Sequence, residues 1–352
     1  MKELLIAQIV RIFILGGIST ILSFMIAPLL LKFLIKNKVY KKIREDINAP
    51  IFTSLHKKKE GTPTMGGIIF WLITFVMALG LLVMSLIFGN TWTFLNFVSR
   101  EQTVLILGSM AIAALIGIID DIFNIYRMGP KGGGLPMSIR LLMHTLIAVI
   151  GDWWFYFKLE WDVLYVPFVG NVHLGFWYIP FFIFVIVGTA FSINETDGLD
   201  GLAGGISFMA LVPYVAIAFL LGRFDLAALL AVVMGGVLAF LWFNISPAKF
   251  FMGDTGAMTI GVLFGILAMY TNTALFLPLF LFVPFMEAST VIIQMFSKKF
   301  FKRKVFKSTP IHHTFEANGW PETKVTMTFW LMQGMAMIFG LMIYLLSVLT
   351  TH

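Results

Sequence analysis

Apolar runs long enough to cross a bilayer recur along the chain at about residues 12–34, 66–88, 102–119, 137–157, 174–193, 202–221, 226–243, 255–271, 275–297 and 325–349. Only helices and closed barrels satisfy every backbone polar group in hydrocarbon, and runs of this length fit helices. The pattern therefore predicts an all-α integral membrane protein of about ten transmembrane helices, folded as one polytopic domain over residues 1–352. The first run is too long for a signal-peptide core, and the basic stretch Lys32–Arg44 follows it rather than a small-residue cleavage site, so it is expected to stay as an anchor. No Pro- or Ser-rich linker and no clear internal repeat divides the chain.

Composition agrees: 59% of residues are hydrophobic and 12% charged, far from a soluble domain. With no cysteine there is neither a disulfide nor a thiolate metal site, and no stretch resembles a nucleic-acid-binding module. Charge sets the expected orientation. Of the 25 Lys and Arg, 20 fall in loops after the first, third, seventh and ninth runs, which all end on one face. The positive-inside rule makes that face cytoplasmic and puts both termini outside. The opposite face carries the turns Gly89–Glu101 and Gly222–Asp225 and an aromatic-rich segment, Lys158–Val172, near the interfacial tryptophans Trp153, Trp154 and Trp161.

The acids beside apolar runs then become informative, because charge within a membrane is costly and usually marks function. Asp120 and Asp121 close the third run, Asp197 and Asp200 follow the fifth in SINETDGLDGLAGG, and Asp254 follows the seventh. A lone Asp-Gly is an ordinary turn, and Asp at a helix start is often a cap. All five on one face is harder to explain in that way. Two carboxylates at about 6 Å repel by roughly 3 kcal/mol at an effective dielectric near 20, so a cation is expected among them. Oxygen donors without cysteine point to Mg²⁺ or Mn²⁺, completed by water and a phosphate substrate. Lys59, Arg140 and Lys249 are available to offset charge on a transferring phosphoryl group. Attraction to anionic lipid is the simpler role for Lys36 to Lys42.

Two further stretches carry polar groups. In Phe243–Gly256, FNISPAKFFMGDTG, Asn244 ends a run, Pro247 stops the helix and Asp254 opens the next. In Thr309–Glu322, TPIHHTFEANGWPE, the adjacent His312 and His313 lack the spacing of a zinc pair, which leaves hydrogen bonding to a phosphate or sugar, or no role at all.

Five segments, Lys59–Gly67, Gly117–Asp121, Ser192–Ala203, Phe243–Gly256 and Pro310–Glu322, together resemble the phospho-N-acetylmuramoyl-pentapeptide transferases over nearly the full chain. TPTMGG, TDGLDGLA, FMGDTG and IHH-FE-NGWPE in that order are jointly specific. The pair Asp120-Asp121 marks the wider superfamily of polyprenyl-phosphate sugar-1-phosphate transferases. The resemblance implies ten spans in the cytoplasmic membrane of a bacterium and a cytoplasmic, Mg²⁺-dependent site. It also implies transfer of phospho-MurNAc-pentapeptide from UDP-MurNAc-pentapeptide to undecaprenyl phosphate, giving lipid I and UMP, among membrane lipids; a homodimer is compatible with it.

By motif it makes Asp254 the metal ligand, has Asp120 and Asp121 organise the lipid phosphate and the metal, and lines the nucleotide-sugar side with Asn194, Asp197 and Asp200. Phe251 resembles the aromatic that stacks on uracil, and Lys59, Thr64, Asn244, His312 and His313 match polar contacts. The chain has Asn124, Glu195 and Thr314 where the family commonly has Lys, Leu and a third His. Direct attack by the lipid phosphate is favoured over a covalent Asp–phosphosugar intermediate, which the sequence leaves open. An N-acetylglucosamine-1-phosphate transferase and an ion-coupled transporter are the alternatives; the His312-His313 loop argues against the first, and the second would place its acids near the bilayer midplane.

Overall fold

The computed structural model describes residues 2–40, 61–128 and 135–351. Every apolar run is helical. The helices are α1 (Lys2–Lys36), α2 (Ile68–Phe88), α3 (Asn90–Leu95), α4 (Val104–Ile125), α5 (Met137–Trp153), α6 (Tyr178–Thr196) and α7 (Leu202–Leu220). They continue as α8 (Phe224–Asn244), α9 (Gly253–Tyr270), α10 (Leu277–Phe280), α11 (Phe282–Phe300), α12 (Ile311–Ala317) and α13 (Glu322–Thr351). Among the described residues eight helices are long and apolar enough to cross a membrane by themselves. The fourth run, α5, is shorter and extends as a π-helical turn over Trp154–Lys158.

The ninth run departs from the continuous span expected of it: α10 and α11 meet at a 93° bend. Pro284 explains the break, since it has no N–H to give the carbonyl of Phe280 and its ring crowds that turn. Gln333 of α13 takes over both loose ends. Its Nε2 donates to Phe280 O at 2.7 Å, and its Oε1 accepts from Val283 N at 3.1 Å. A buried amide thus supplies the bonds that the helix forfeits, as a break inside a membrane requires.

Two elements on the face opposite the acids were not legible as such. Asn90–Leu95 is a short helix within the predicted turn. Val163–Val166 and Gly170–His173 form an antiparallel hairpin, β1 and β2, in register Val163 with His173. Tyr165 on β1 reaches Ser347 and Thr351 at the end of α13, at 2.7 and 3.1 Å. The last turn of α13 therefore lies at the hairpin end of the bundle, as does the start of α1, whose Arg11 pairs with Asp225 at the start of α8.

At the centre stands α9, in which every residue except Asp254 and Tyr270, one near each end, is buried. A helix apolar all round must be enclosed by others. Small residues let them approach: a Cβ on Gly261 would come within 2.7 Å of Ala190 Cα on α6, and one on Gly117 of α4 within 2.3 Å of Thr255 Cα on α9.

Candidate active site

The ends of α4, α6 and α8 and the starts of α5, α7, α9 and α13 meet at the end of the bundle away from the hairpin. Glycine packing brings the motifs there together. The segment Pro63–Gly67 runs alongside Phe251–Met252: Phe251 N–H donates to Pro63 O (2.8 Å), Gly66 N–H to Phe251 O (2.8 Å) and Gly67 N–H to Met252 O (2.9 Å). Side chains at Gly66 or Gly67 would strike Phe250 or Gly256, at 2.2 and 2.4 Å from the added Cβ. Gly253, at φ +76°, sits where a Cβ would meet Asp121, Met65 and Thr64 within 3.0 Å.

Asp121 has a role that its charge alone does not announce. Its Oδ1 accepts the backbone N–H of Asp254 at 3.1 Å and its Oδ2 that of Thr255 at 2.9 Å, so a buried carboxylate of α4 caps the first turn of α9. Asp254, the obvious candidate for that cap, is released from it. Its Oδ1 accepts instead from Asn194 Nδ2 on α6 at 2.9 Å, with Arg140 Nη1 of α5 at 3.8 Å. Arg140 reaches in the other direction to Asp120, its Nε 2.6 Å from Oδ2, while Asp120 Oδ1 accepts from Leu135 N–H at 2.7 Å. The side chain of Asp120 is fully buried, whereas those of Asp254 and Arg140 remain 16% and 17% exposed. Arg140 is thus a cation already among the acids.

The second pair of acids divides its work. No helical turn joins Asp197 to Asp200, so they do not share a helix face. Asp197 is half-buried at the C-terminal end of α6. Asp200 is buried, its Oδ2 accepting from Ala248 N–H at 3.1 Å and its own N–H donating to Glu322 Oε1 at 2.6 Å. Buried Asn244 does similar work, accepting from Gly201 N–H (3.0 Å) and donating to Phe250 O (2.9 Å). Asp200 and Asn244 thereby tie TDGLDG to the loop before α9.

In that loop Phe250 is buried against Phe240 and Phe243, with ring centroids at 5.7 and 5.8 Å, while the next residue, Phe251, is half-exposed. Alternation along an extended segment turns the two rings to opposite sides. Thr64 is buried beside Gly253. Lys249 is exposed over the Phe243 ring, and Lys59 lies outside the described residues.

His312 and His313 are buried on α12, facing acids that sequence reasoning did not single out. His312 Nδ1 lies 3.1 Å from Glu287 Oε1 on α11, its Nε2 lies 3.1 Å from His313 Nε2, and His313 Nδ1 lies 2.8 Å from Glu316 Oε2. A Cβ on Gly198 would meet His312 Nε2 at 2.3 Å, so the pair underlies the TDGLDG loop. Burial opposes a charged imidazole at His312, but Glu287, Glu316 and Glu195 outweigh it and raise its pKa above the ordinary histidine value. Glu287 did carry a signal, being the sole acid in the apolar helix α11. Thr314 of α12 ties down the segment before that helix, donating to Ser308 O and accepting from Ser308 N–H.

The sequence is similar to known proteins over most of its length. Residues 103–272 match the model of glycosyl transferase family 4, and residues 59–70 match phospho-N-acetylmuramoyl-pentapeptide-transferase signature 1. A phospho-N-acetylmuramoyl-pentapeptide-transferase of Thermoanaerobacter sp. (strain X514) is 39% identical over 91% of this chain and 94% of its own length. The chain belongs to the phospho-N-acetylmuramoyl-pentapeptide-transferases. Relatives of the same name from Thermotoga petrophila, 37% identical over 88% of this chain and 92% of theirs, and Listeria monocytogenes, 33% identical over 89% and 92%, agree. Signature 1 of the transferase covers TPTMGG, the segment held against Phe251 and Met252, and the family 4 match ends just beyond α9. The transferase is thus a multi-pass membrane enzyme whose family motifs meet at one end of the bundle.

Proposed function

We propose that the enzyme transfers phospho-MurNAc-pentapeptide from UDP-MurNAc-pentapeptide to undecaprenyl phosphate at the cytoplasmic face of the bacterial inner membrane, releasing UMP and forming lipid I. The observation that supports this reading best is the chain Asp120–Arg140–Asp254–Asn194 at the buried N-terminus of α9. A helix N-terminus favours phosphate, and with Asp121 capping the turn, the Asp254 carboxylate stays partly exposed beside it.

The donor set suits Mg²⁺. Among the described residues no three His, Asp or Glu side chains form an all-protein metal cage. Magnesium requires none, since it takes one or two carboxylates and completes its shell with water and substrate phosphate. Asp254 would hold it, and the ion when bound would supply charge neutralisation for the diphosphate and the departing UMP.

The residues of the chain do the rest. The lipid phosphate is largely dianionic at cytoplasmic pH, its second pKa being near 6, so no strong general base is needed. One of its oxygens attacks the sugar-linked phosphorus. The bond from that phosphorus to the oxygen bridging toward uridine breaks, and UMP leaves with the electron pair. Arg140, held between two carboxylates, orients the phosphates and offsets their charge without reorganising. Asn194 keeps Asp254 in place, and the half-exposed Phe251 offers a face for uracil. Assaying UMP release with and without undecaprenyl phosphate tests this directly. Release that requires the lipid, in equal yield with lipid I, supports the reading; no release, or release without the acceptor, contradicts it.

A further inference from the structure

The buried row Glu287–His312–His313–Glu316 imposes a proton count. In each of its three gaps, of 3.1, 3.1 and 2.8 Å, two lone-pair atoms face one another. The Glu287 contact is bent away from good hydrogen-bond alignment, yet an unprotonated nitrogen this close to a carboxylate oxygen in a buried site would still repel it. Each gap therefore needs a proton. Two neutral imidazoles bring only two, so the row with two carboxylates holds one proton more than neutral histidines would. Wherever that proton sits along the row, the net charge is −1 rather than −2.

We propose that Glu287 and Glu316 are positioning residues that keep this extra proton on the His312–His313 pair, and that the resulting buried imidazolium braces the Asp197–Asp200 loop for binding the anionic donor substrate. Gly198, whose missing side chain admits the His312 ring, places the charge directly beneath that loop. Among the described residues, the ionisable groups that act on His312 are Glu287 on α11, Glu316 on α12 and Glu195 on α6. All three are acids and favour retention of the proton. Because both rings are buried, the pair acts through the loop. Thr314, in the place of a third histidine, is bonded to the Ser308 backbone and adds no proton to the row.

The substrate-binding part rests on the reading given under Proposed function, whereas the proton count does not. In ¹⁵N-histidine spectra of the detergent-solubilised wild type near pH 7, assigned by difference against His313→Asn, the pair should show three N–H protons. Two, from two neutral rings, would overturn the proposal whether or not the protein releases UMP. In kinetics, Glu287→Gln keeps shape but removes the charge, so the alkaline limb of kcat/KM should fall by about one pH unit, mostly through a raised KM for the UDP-linked donor. Glu316→Gln should do the same and decides the matter if Glu287→Gln fails to fold. A profile of unchanged shape, scaled down uniformly at every pH, would make the row a structural contact and refute the proposal.

Discussion

The bundle has an arginine–aspartate pair at each end, and the two are built for different purposes. At the hairpin end Arg11 is buried and closed in: its Nη2 donates to Asp225 Oδ1 and to Asn96 O, both at 2.8 Å, and its Nη1 to Gln8 Oε1 at 3.0 Å. These bonds join α1, α8 and the segment after α3, so the pair is spent on holding helices together. At the motif end Arg140 is stretched between Asp120 at 2.6 Å and Asp254 at 3.8 Å, the outer carboxylate is steadied by a neutral amide, and the outer members stay partly open. A completed pair stabilises a fold, while an extended one that keeps charge available on its open side can meet a charged ligand. The same difference separates Asp121 and Asp200, whose oxygens hold backbone N–H groups, from Asp254.

Exchanging the arginines should show this most sharply. Arg140→Met is expected to lower kcat/KM for UMP release about a thousandfold, the scale of losing a preorganised charge at the reacting phosphates. Arg11→Met is expected to leave kcat/KM near wild type and to cost about 1–2 kcal/mol of stability, less than for a fully buried pair because Asp225 is 27% exposed. Similar activity losses from both would erase the distinction. Asp121→Asn gives up one of two acceptors for the first turn of α9, so about 1–2 kcal/mol of stability and roughly ten- to a hundredfold in kcat/KM should go together, through displacement of Asp254. A stability loss with full activity would mean that Asp254 does not depend on its cap. Gly117→Ala forces a methyl against Thr255 and should lower the thermal midpoint by an amount corresponding to about 1–3 kcal/mol.

The smallest effects are expected in the loop before α13. Thr314→Val removes both bonds to Ser308 and should cost about 1 kcal/mol with turnover little changed. The raised pKa of His312 has a defined sign in stability: its contribution is complete below the ordinary value of about 6.5 and is lost as pH rises through the raised one. Melting temperatures should therefore fall on the alkaline side in the wild type and fall less in Glu287→Gln.

Much of this was legible in the sequence because hydrophobic length and buried acids are strong signals in a membrane protein. The runs became helices, and the motifs around Asp120, Asn194 and Asp254 met at one end. What escaped reading depended on partners distant in the chain. Asp254 looks like its own helix cap until Asp121, 133 residues earlier, is seen to take that place. Asn244 has the residue type of a substrate contact, yet its amide joins Gly201 to Phe250. The bend before α11 was written in Pro284, but the Gln333 that makes it tolerable lies 50 residues beyond its partner Val283.

The comparison of the two ends comes down to one paired measurement, UMP release from UDP-MurNAc-pentapeptide by Asp254→Asn and Asp225→Asn across a magnesium titration. Both substitutions remove one charge and keep the shape of the side chain. Asp254→Asn should fall at least about a thousandfold with its melting temperature unchanged, while Asp225→Asn should melt lower and turn over like the wild type. Near-normal release by Asp254→Asn at any magnesium concentration would contradict the assignment of the N-terminus of α9 as the reacting end.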